Sequence, residues 1–392
     1  MKLPLGYRYA SLYAGIRKQR RDDLALIVSD APASAAAMFT RNRVQAAPVR
    51  LSRAHLKASR GIARAIIVNA GNANCATRTA DRVALASCRA VARGVQAPVE
   101  QVLAASTGVI GVDLDAKLIT EAVPRLIERL DANGFDEAAR AIMTTDTVPK
   151  MAFAEAPLRN GTVRIAGMTK GSGMIMPDMA TTLGFVMTDA GIAPRHLKPM
   201  LAAAVERSYH RVSVDTDTST NDTIILLANG ASGLKPNEQE RQVFQEVLCW
   251  VLEDLAEKIA MDAEGARKLI VVHVRGTRTD AEAVTIARAI ANSPLLKTAV
   301  AGSDPNWGRV LAAAGKSGVE FDPDRVDIHI QGVRVCRNGR ADKFSEHDLK
   351  GKMDLRECHI RFTIRDGGPG LARFWGCDLT EDYVKINASY RT

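Results

Sequence analysis

The sequence lacks the features that mark a membrane, secreted or metal-bound protein. None of its windows is apolar for long enough to cross a bilayer. Its opening residues, through Tyr9, hold no apolar signal core, so a cytoplasmic protein is expected. Cysteine is sparse. Cys75, Cys88, Cys249, Cys336, Cys358 and Cys377 are scattered and form no C-x-x-C pair. Such spacing suits reduced, buried thiols better than bridges or zinc ligands. The seven histidines do not cluster, and the one adjacent pair, Cys358-His359, lies in a strand-like run. No metal centre is therefore expected. Aromatic residues make up only 5% of the chain, with no stacking pattern. That matters because the net charge is +9. A nucleic-acid site would gather its basic residues. The only basic run here, Arg17-Lys-Gln-Arg-Arg21, is followed at once by Asp22 and Asp23. A solvated basic surface that attracts small acidic metabolites is the better reading. Repeats and low-complexity linkers are also missing.

What is present suits a globular enzyme. The chain has 392 residues, 46% of them hydrophobic and 25% charged, enough for two domains or one two-lobed domain. Strand-like runs fall at 65–68, 162–165, 223–227, 269–274, 326–330 and 359–364. Helical spacing predicts helices over 82–95, 116–130, 196–208, 238–261 and 280–291. The two kinds interleave, and many strands alternate in polarity. Layered α/β packing with mixed sheets fits that pattern better than a purely parallel sheet. The least regular stretch with turn signals is 154–161, containing Pro157 and Asn160-Gly161.

The stretch from Lys170 to Phe185 carries the strongest chemical signal. Ala180 precedes two threonines, just after a Gly-rich turn and Pro177. A threonine hydroxyl in mid-chain has no base at hand. If the Ala180–Thr181 bond is cut, Thr181 gains a free α-amine beside its own Oγ, and that amine is a built-in general base.

Small polar residues gather in five other places: 69–74, 106–111, 144–150, 215–223 and 302–309. Each also has a plain reading as a turn or cap, because Ser, Thr, Asn, Asp and Gly are the usual turn formers. The run before Ser106 looks helical. Thr107-Gly108 pairs a hydroxyl with a glycine whose N–H can approach a ligand closely, which suits an oxyanion hole. Lys170-Gly-Ser-Gly173 lacks the spacing of a phosphate loop. Its lysine can instead hold a substrate carboxylate or favour a free-base amine. Glu264, before Gly265, is either a surface turn or a carboxylate for a substrate ammonium. The polar C-terminus would ordinarily fray. If it is ordered, Asn387 and Thr392 can reach a site.

In order along the chain, these clusters resemble one family, the bacterial ornithine acetyltransferases, bifunctional glutamate N-acetyltransferases of arginine biosynthesis. The resemblance runs from about Gly15 to Thr392. It rests on Met143-Thr-Thr-Asp-Thr147, Lys170-Gly-Ser-Gly-Met174 with Met179-Ala-Thr181, and Asp217-Thr-Ser-Thr-Asn-Asp-Thr223. Further pieces are Asn292-Ser-Pro-Leu295 with Asp304-Pro-Asn-Trp-Gly-Arg309, and Trp375-Gly-Cys-Asp-Leu-Thr380.

The resemblance implies a mixed α/β fold, a layered αββα-type sandwich with mixed sheets, N-terminal-nucleophile-like and two-lobed. It implies self-cleavage at Ala180–Thr181 into an α chain, 1–180, and a β chain, 181–392, paired as α2β2. Thr181 is then the nucleophile and Thr107 with Gly108 the oxyanion hole. Substrate contacts map onto Thr144, Lys170, Thr181, Glu264, Asn387 and Thr392, with Thr145 adjacent to the first. The implied reaction is ping-pong acetyl transfer from N-acetylornithine to glutamate, with no cofactor or metal. The motifs do not separate members that also take the acetyl group from acetyl-CoA. The chain departs from the family pattern at Asp178 (usually Asn), Thr182 (usually Met), Thr216 (commonly Gly) and Ala263 (usually Gly). None of these removes a catalytic group, but Thr182 leaves the register of cleavage open. Two other readings keep some of the same residues: a hydrolase or aminopeptidase that uses water as acceptor, and an unprocessed, non-catalytic homologue.

Overall fold

The computed structural model describes residues 2–176 and 182–389; Met1, 177–181 and 390–392 lie outside the described residues. Eight strands form one mixed sheet: β1 (Tyr7–Leu12), β2 (Leu24–Phe39), β3 (Ile62–Asn72), β4 (Val102–Val109), β5 (Lys150–Leu158), β6 (Gly161–Lys170), β7 (Leu183–Thr188) and β8 (Thr223–Ala228). Its order is β4-β3-β2-β8-β7-β6-β5, with β1 beside β2. β3–β4 and β7–β8 are parallel and the other pairs antiparallel. The first seven helices belong to this lobe: α1 (Ala47–Ala58), α2 (Ala80–Gly94), α3 (Ala116–Thr120), α4 (Val123–Glu128), α5 (Phe135–Ala141), α6 (Pro194–Arg207) and α7 (Glu238–Met261).

Alternating apolar residues dictate the layers. Along β2, Leu24, Leu26 and Val28 face α2–α4 and pack with Cys88, Val91 and Leu126. Ala25 and Ile27 face the other way and share a core with Phe185 and Met187 of β7 and Ile225 and Leu227 of β8. On the far face of those strands, Val186, Ile224 and Leu226 pack on Leu201 of α6 and Leu252 and Leu255 of α7. The order is therefore helices, strands, strands, helices, as expected. The two halves of the sheet fold over each other about β2, whose register shifts between Val28 and Ala33. Full burial of each such Leu, Ile or Phe contributes about 1.5–3 kcal/mol.

The second lobe is a six-stranded mixed sheet of β9 (Leu269–Thr277), β10 (Val326–Ile330), β11 (Val333–Arg337), β12 (Arg340–Ala341), β13 (Glu357–Ile364) and β14 (Gly370–Cys377). One face packs on α8 (Asp280–Ala291), α9 (Pro294–Ala301), α10 (Trp307–Gly315) and α11 (Glu346–Met353). Leu269, Val271 and Trp375 join the α6–α7 core, so the lobes share packed interior. α12 (Glu381–Ser389) follows the last strand. Among the described residues, no helix is long and apolar enough to cross a membrane.

Three local expectations need correction. The run before Ser106 is strand β4, because both of its faces are buried and an all-apolar run carries no period. The stretch 154–161 is a hairpin rather than an irregular loop: β5 continues to Leu158 and pairs Pro157 with Thr162. The helix expected over 116–130 is broken into α3 and α4, with Pro124 in the first turn of the second. The six cysteines are buried and unbridged.

Candidate active site

The parallel β3–β4 pair presents Thr107 and Gly108 at its end, opposite Ala70 and Gly71. Gly108 has φ +128°, and a Cβ there would sit 2.5 Å from the Gly71 carbonyl carbon and 2.6 Å from its oxygen. Only glycine fits. The asparagine cluster shapes this strand end. Asn69 Oδ1 accepts the Gly71 N–H at 3.0 Å, and its Nδ2 donates to Asn72 O at 2.7 Å and Ser106 Oγ at 3.2 Å. Asn221 Nδ2, from the 215–223 loop, donates to Ala73 O at 2.7 Å and Ser106 O at 2.8 Å. Residues that single-sequence reasoning treats as turn formers thus join three segments at one place.

Lys170 ends β6 and is buried. Its Nζ donates to Thr107 Oγ1 at 3.2 Å. With that oxygen occupied as an acceptor, the Thr107 hydroxyl hydrogen is left to donate elsewhere. Burial lowers the Lys170 pKa; Asp146 opposes this, Lys150 adds to it, and Glu264 and Asp222 oppose it.

Sequence reasoning missed a buried charge cluster behind Lys170. Asp146 Oδ1 accepts Lys150 Nζ at 2.6 Å and the Gly171 N–H at 2.7 Å, while Oδ2 accepts the Thr144 N–H at 2.9 Å. Lys150 also donates to Asp262 Oδ2 at 2.5 Å. Burial pushes the Asp146 pKa up, but Lys150, Lys170 and the Gly171 N–H outweigh it and hold the carboxyl at about 2. The only sequence signal was the i, i+4 spacing of Asp146 and Lys150, in a segment whose plain reading is a turn or cap. Asp222, also missed, is fully buried and accepts the Thr182 N–H at 2.9 Å. Burial raises its pKa well above the carboxylate range.

Glu264 arrives from the turn after α7. Its N–H donates to Ser172 O at 2.9 Å, and its carboxylate lies over Gly173. Asn387 of α12 donates to Glu264 Oε2 at 3.0 Å. The helix comes this close because Gly265, at φ +69°, has no Cβ to collide with the Tyr383 amide. Ala263 is buried and accommodated. Thr216 takes φ +71°, a conformation that suits glycine and is strained for a β-branched residue.

Thr107, Gly108, Thr144, Lys170, Glu264 and Asn387 line one cavity of about 240 Å3. Thr145 lines it as well, so the cavity does not discriminate between the adjacent threonines. Ala180, Thr181, Thr392 and Asp178 lie outside the described residues. Thr182 immediately precedes β7, and its carbonyl accepts the Thr223 N–H at 3.0 Å.

A family model described as the ArgJ family matches residues 8–392. The chain belongs to the ArgJ family. It is 44% identical over 394 residues to the arginine biosynthesis bifunctional protein ArgJ of Nitratidesulfovibrio vulgaris, covering 99% of each chain. It is 44% identical over 396 residues to the protein of that name from Agrobacterium fabrum, covering 99% of this chain and 95% of the relative. Among solved structures, ArgJ from Bacillus halodurans is 39% identical with a TM-score of 0.51, over 53% of this chain and 98% of that one. The expectation of an enzyme of the acyltransferase class is borne out at the level of the ArgJ family.

Proposed function

We propose that this chain is a self-processing acyltransferase that moves an acetyl group from N-acetylornithine to glutamate. The observation that carries the reading is the convergence of Thr107, Gly108, Lys170, Glu264 and Asn387, far apart in sequence, on one cavity. The relatives' names place them in arginine biosynthesis.

In the precursor, Thr181 Oγ attacks the Ala180 carbonyl. The peptide C–N bond breaks as the ester forms, and the nitrogen takes the hydroxyl proton. Water then cleaves the ester, leaving the Ala180 carboxylate and a free Thr181 amine. Cleavage before Thr181 rather than Thr182 fits the Thr182 N–H, which is already committed to Asp222. The products, 1–180 and 181–392, stay joined because strands on either side of the break, β6 and β7, are neighbours in the first sheet. Lys170 pairs with Leu183 across β6–β7, and β2 pairs with β8. An α2β2 assembly in the cytoplasm completes the reading.

In the processed enzyme the Thr181 amine takes the Oγ proton as Oγ attacks the acetyl carbonyl. The Gly108 N–H and the Thr107 hydroxyl hold the oxyanion; losing one such donor costs about 2.7–4 kcal/mol of barrier. The proton passes to the leaving nitrogen, and ornithine departs from acetyl-Thr181. The glutamate amine then attacks that ester, releasing N-acetylglutamate and restoring Thr181. Lys170 holds the α-carboxylate common to both substrates. Thr144, Glu264, Asn387 and Thr392 hold the rest, with Glu264 facing an ammonium group.

Denaturing mass spectrometry with and without N-acetylornithine tests this directly. Two fragments split at Ala180–Thr181, with one acetyl group on the second, are expected. A single full-length mass that never gains acetyl would sink the proposal. Release of ornithine without glutamate would favour a hydrolase. Acetyl-CoA, tried as donor in the same experiment, reads out the additional activity.

A further inference from the structure

A second cavity of about 510 Å3 shares Gly108 and Thr144 with the first. The two differ in the sign of their walls. The first carries three carboxylate residues, Asp215, Asp217 and Glu264, against one cation among those described, Lys170. The second carries Arg17, Lys18 and Arg21, and no carboxylate residue among those described.

The basic segment is held in place from beneath. Asp23, fully buried, accepts the Ala14 N–H through Oδ1 at 2.7 Å and the Ile16 and Arg17 N–H groups through Oδ2 at 2.8 and 2.9 Å. Arg17 donates to the carbonyls of Ala70 and Met143, and Arg21 to Thr144 O at 2.6 Å. Carbonyls satisfy Arg21 without cancelling its positive charge. Among the described residues, neither Lys18 nor Arg21 has a carboxylate within ion-pair distance.

We propose that the second cavity is a subsite for an anionic side chain, taking the γ-carboxylate of glutamate while the acidic cavity takes the side-chain ammonium of ornithine. This rests on the proposed function. Donor and acceptor share an α-carboxylate and an α-nitrogen, but their side chains end in opposite charges. A wall that attracts one end repels the other. Because Gly108 and Thr144 belong to both walls, a substrate anchored there can direct its side chain into either cavity. The basic run that looked like a solvated surface then separates the two half-reactions.

The test uses the full chain and two readouts. Glutarate, a dicarboxylate without an amine, is titrated calorimetrically against the unaltered protein and the Lys18→Glu/Arg21→Glu variant. Binding should weaken on the order of tenfold, the sum of two surface charge reversals. In acetyl transfer, the KM for glutamate should rise relative to that for N-acetylornithine by a similar factor. Asp217→Asn should move that ratio the other way. Lys18→Glu alone, whose wild-type side chain makes no hydrogen bond among the described residues, should show the same direction without disturbing Thr144. Equal glutarate binding by unaltered and doubly substituted proteins, or an unmoved KM ratio, would overturn the subsite. If the unaltered chain transfers no acetyl group, the reaction assignment fails, and the glutarate titration still decides the subsite.

Discussion

Lys150→Met should remove the cation on which the cluster behind the site depends. Lys150 Nζ sits 2.6 Å from Asp146 and 2.5 Å from Asp262, with side-chain exposures of 1%, 0% and 9% for the three groups. Removing one partner of a buried ion pair leaves an uncompensated charge and costs about 3–5 kcal/mol. Asp146 supplies a second, directional signature. Its folded pKa of about 2 lies below the ordinary 3.8. Because the folded value is depressed, its contribution of roughly 2–3 kcal/mol is present above about pH 4 and is lost as pH falls through about 2. Without Lys150, burial, already the largest single influence, loses its main opponent and the Asp146 carboxyl rises. Once above its unfolded value, the sign reverses: the variant should gain stability relative to the unaltered protein as pH falls from 7 to 4. Urea unfolding of both proteins across that range measures both effects. A loss under about 1 kcal/mol at pH 7, with an unchanged pH profile, would refute the claim that Lys150 neutralises Asp146.

Other substitutions probe the rest of the site. Thr181→Ala should remain one uncut chain that transfers no acetyl group, whereas Thr181→Ser should keep part of both activities; a cleaved and active Thr181→Ala protein rules out the nucleophile. Gly108→Ala should collide with Gly71 and displace the strand end, lowering kcat/KM by about a hundredfold or more, the loss expected when an oxyanion donor moves; near-normal kinetics would remove Gly108 from the mechanism. Gly265→Ala should push α12 off Glu264, raising KM for N-acetylornithine and speeding amide exchange in 381–389, read by hydrogen exchange. If exchange there is unchanged, the close approach of Tyr383 is not what holds the helix.

Much of this molecule was legible one residue at a time. The strand-like runs at 65–68, 162–165, 223–227, 269–274, 326–330 and 359–364 lie inside β3, β6, β8, β9, β10 and β13, whereas β2, buried on both faces over 24–28, gave no such reading. α7 and α8 keep the bounds that their helical spacing predicted, because apolar periodicity over 12 or more residues is hard to mistake. Thr107, Gly108, Lys170, Glu264 and Asn387 announced themselves through residue type and local company. β4 did not, since an apolar run buried on both faces has no period to read. Asp146, Lys150, Asp222 and Asp262 were silent for a different reason. In sequence they are ordinary acids and a lysine in polar turns, and their meaning depends on burial and on partners as distant as Asp262 is from Lys150. Local sequence therefore determined the elements, the layers and the candidate chemistry, because those follow from short-range periodicity and side-chain type. Only the tertiary structure decided which charges share one dry interior and which strand ends meet at Gly108, because desolvation and Coulomb energy depend on distances that close only when the chain has folded.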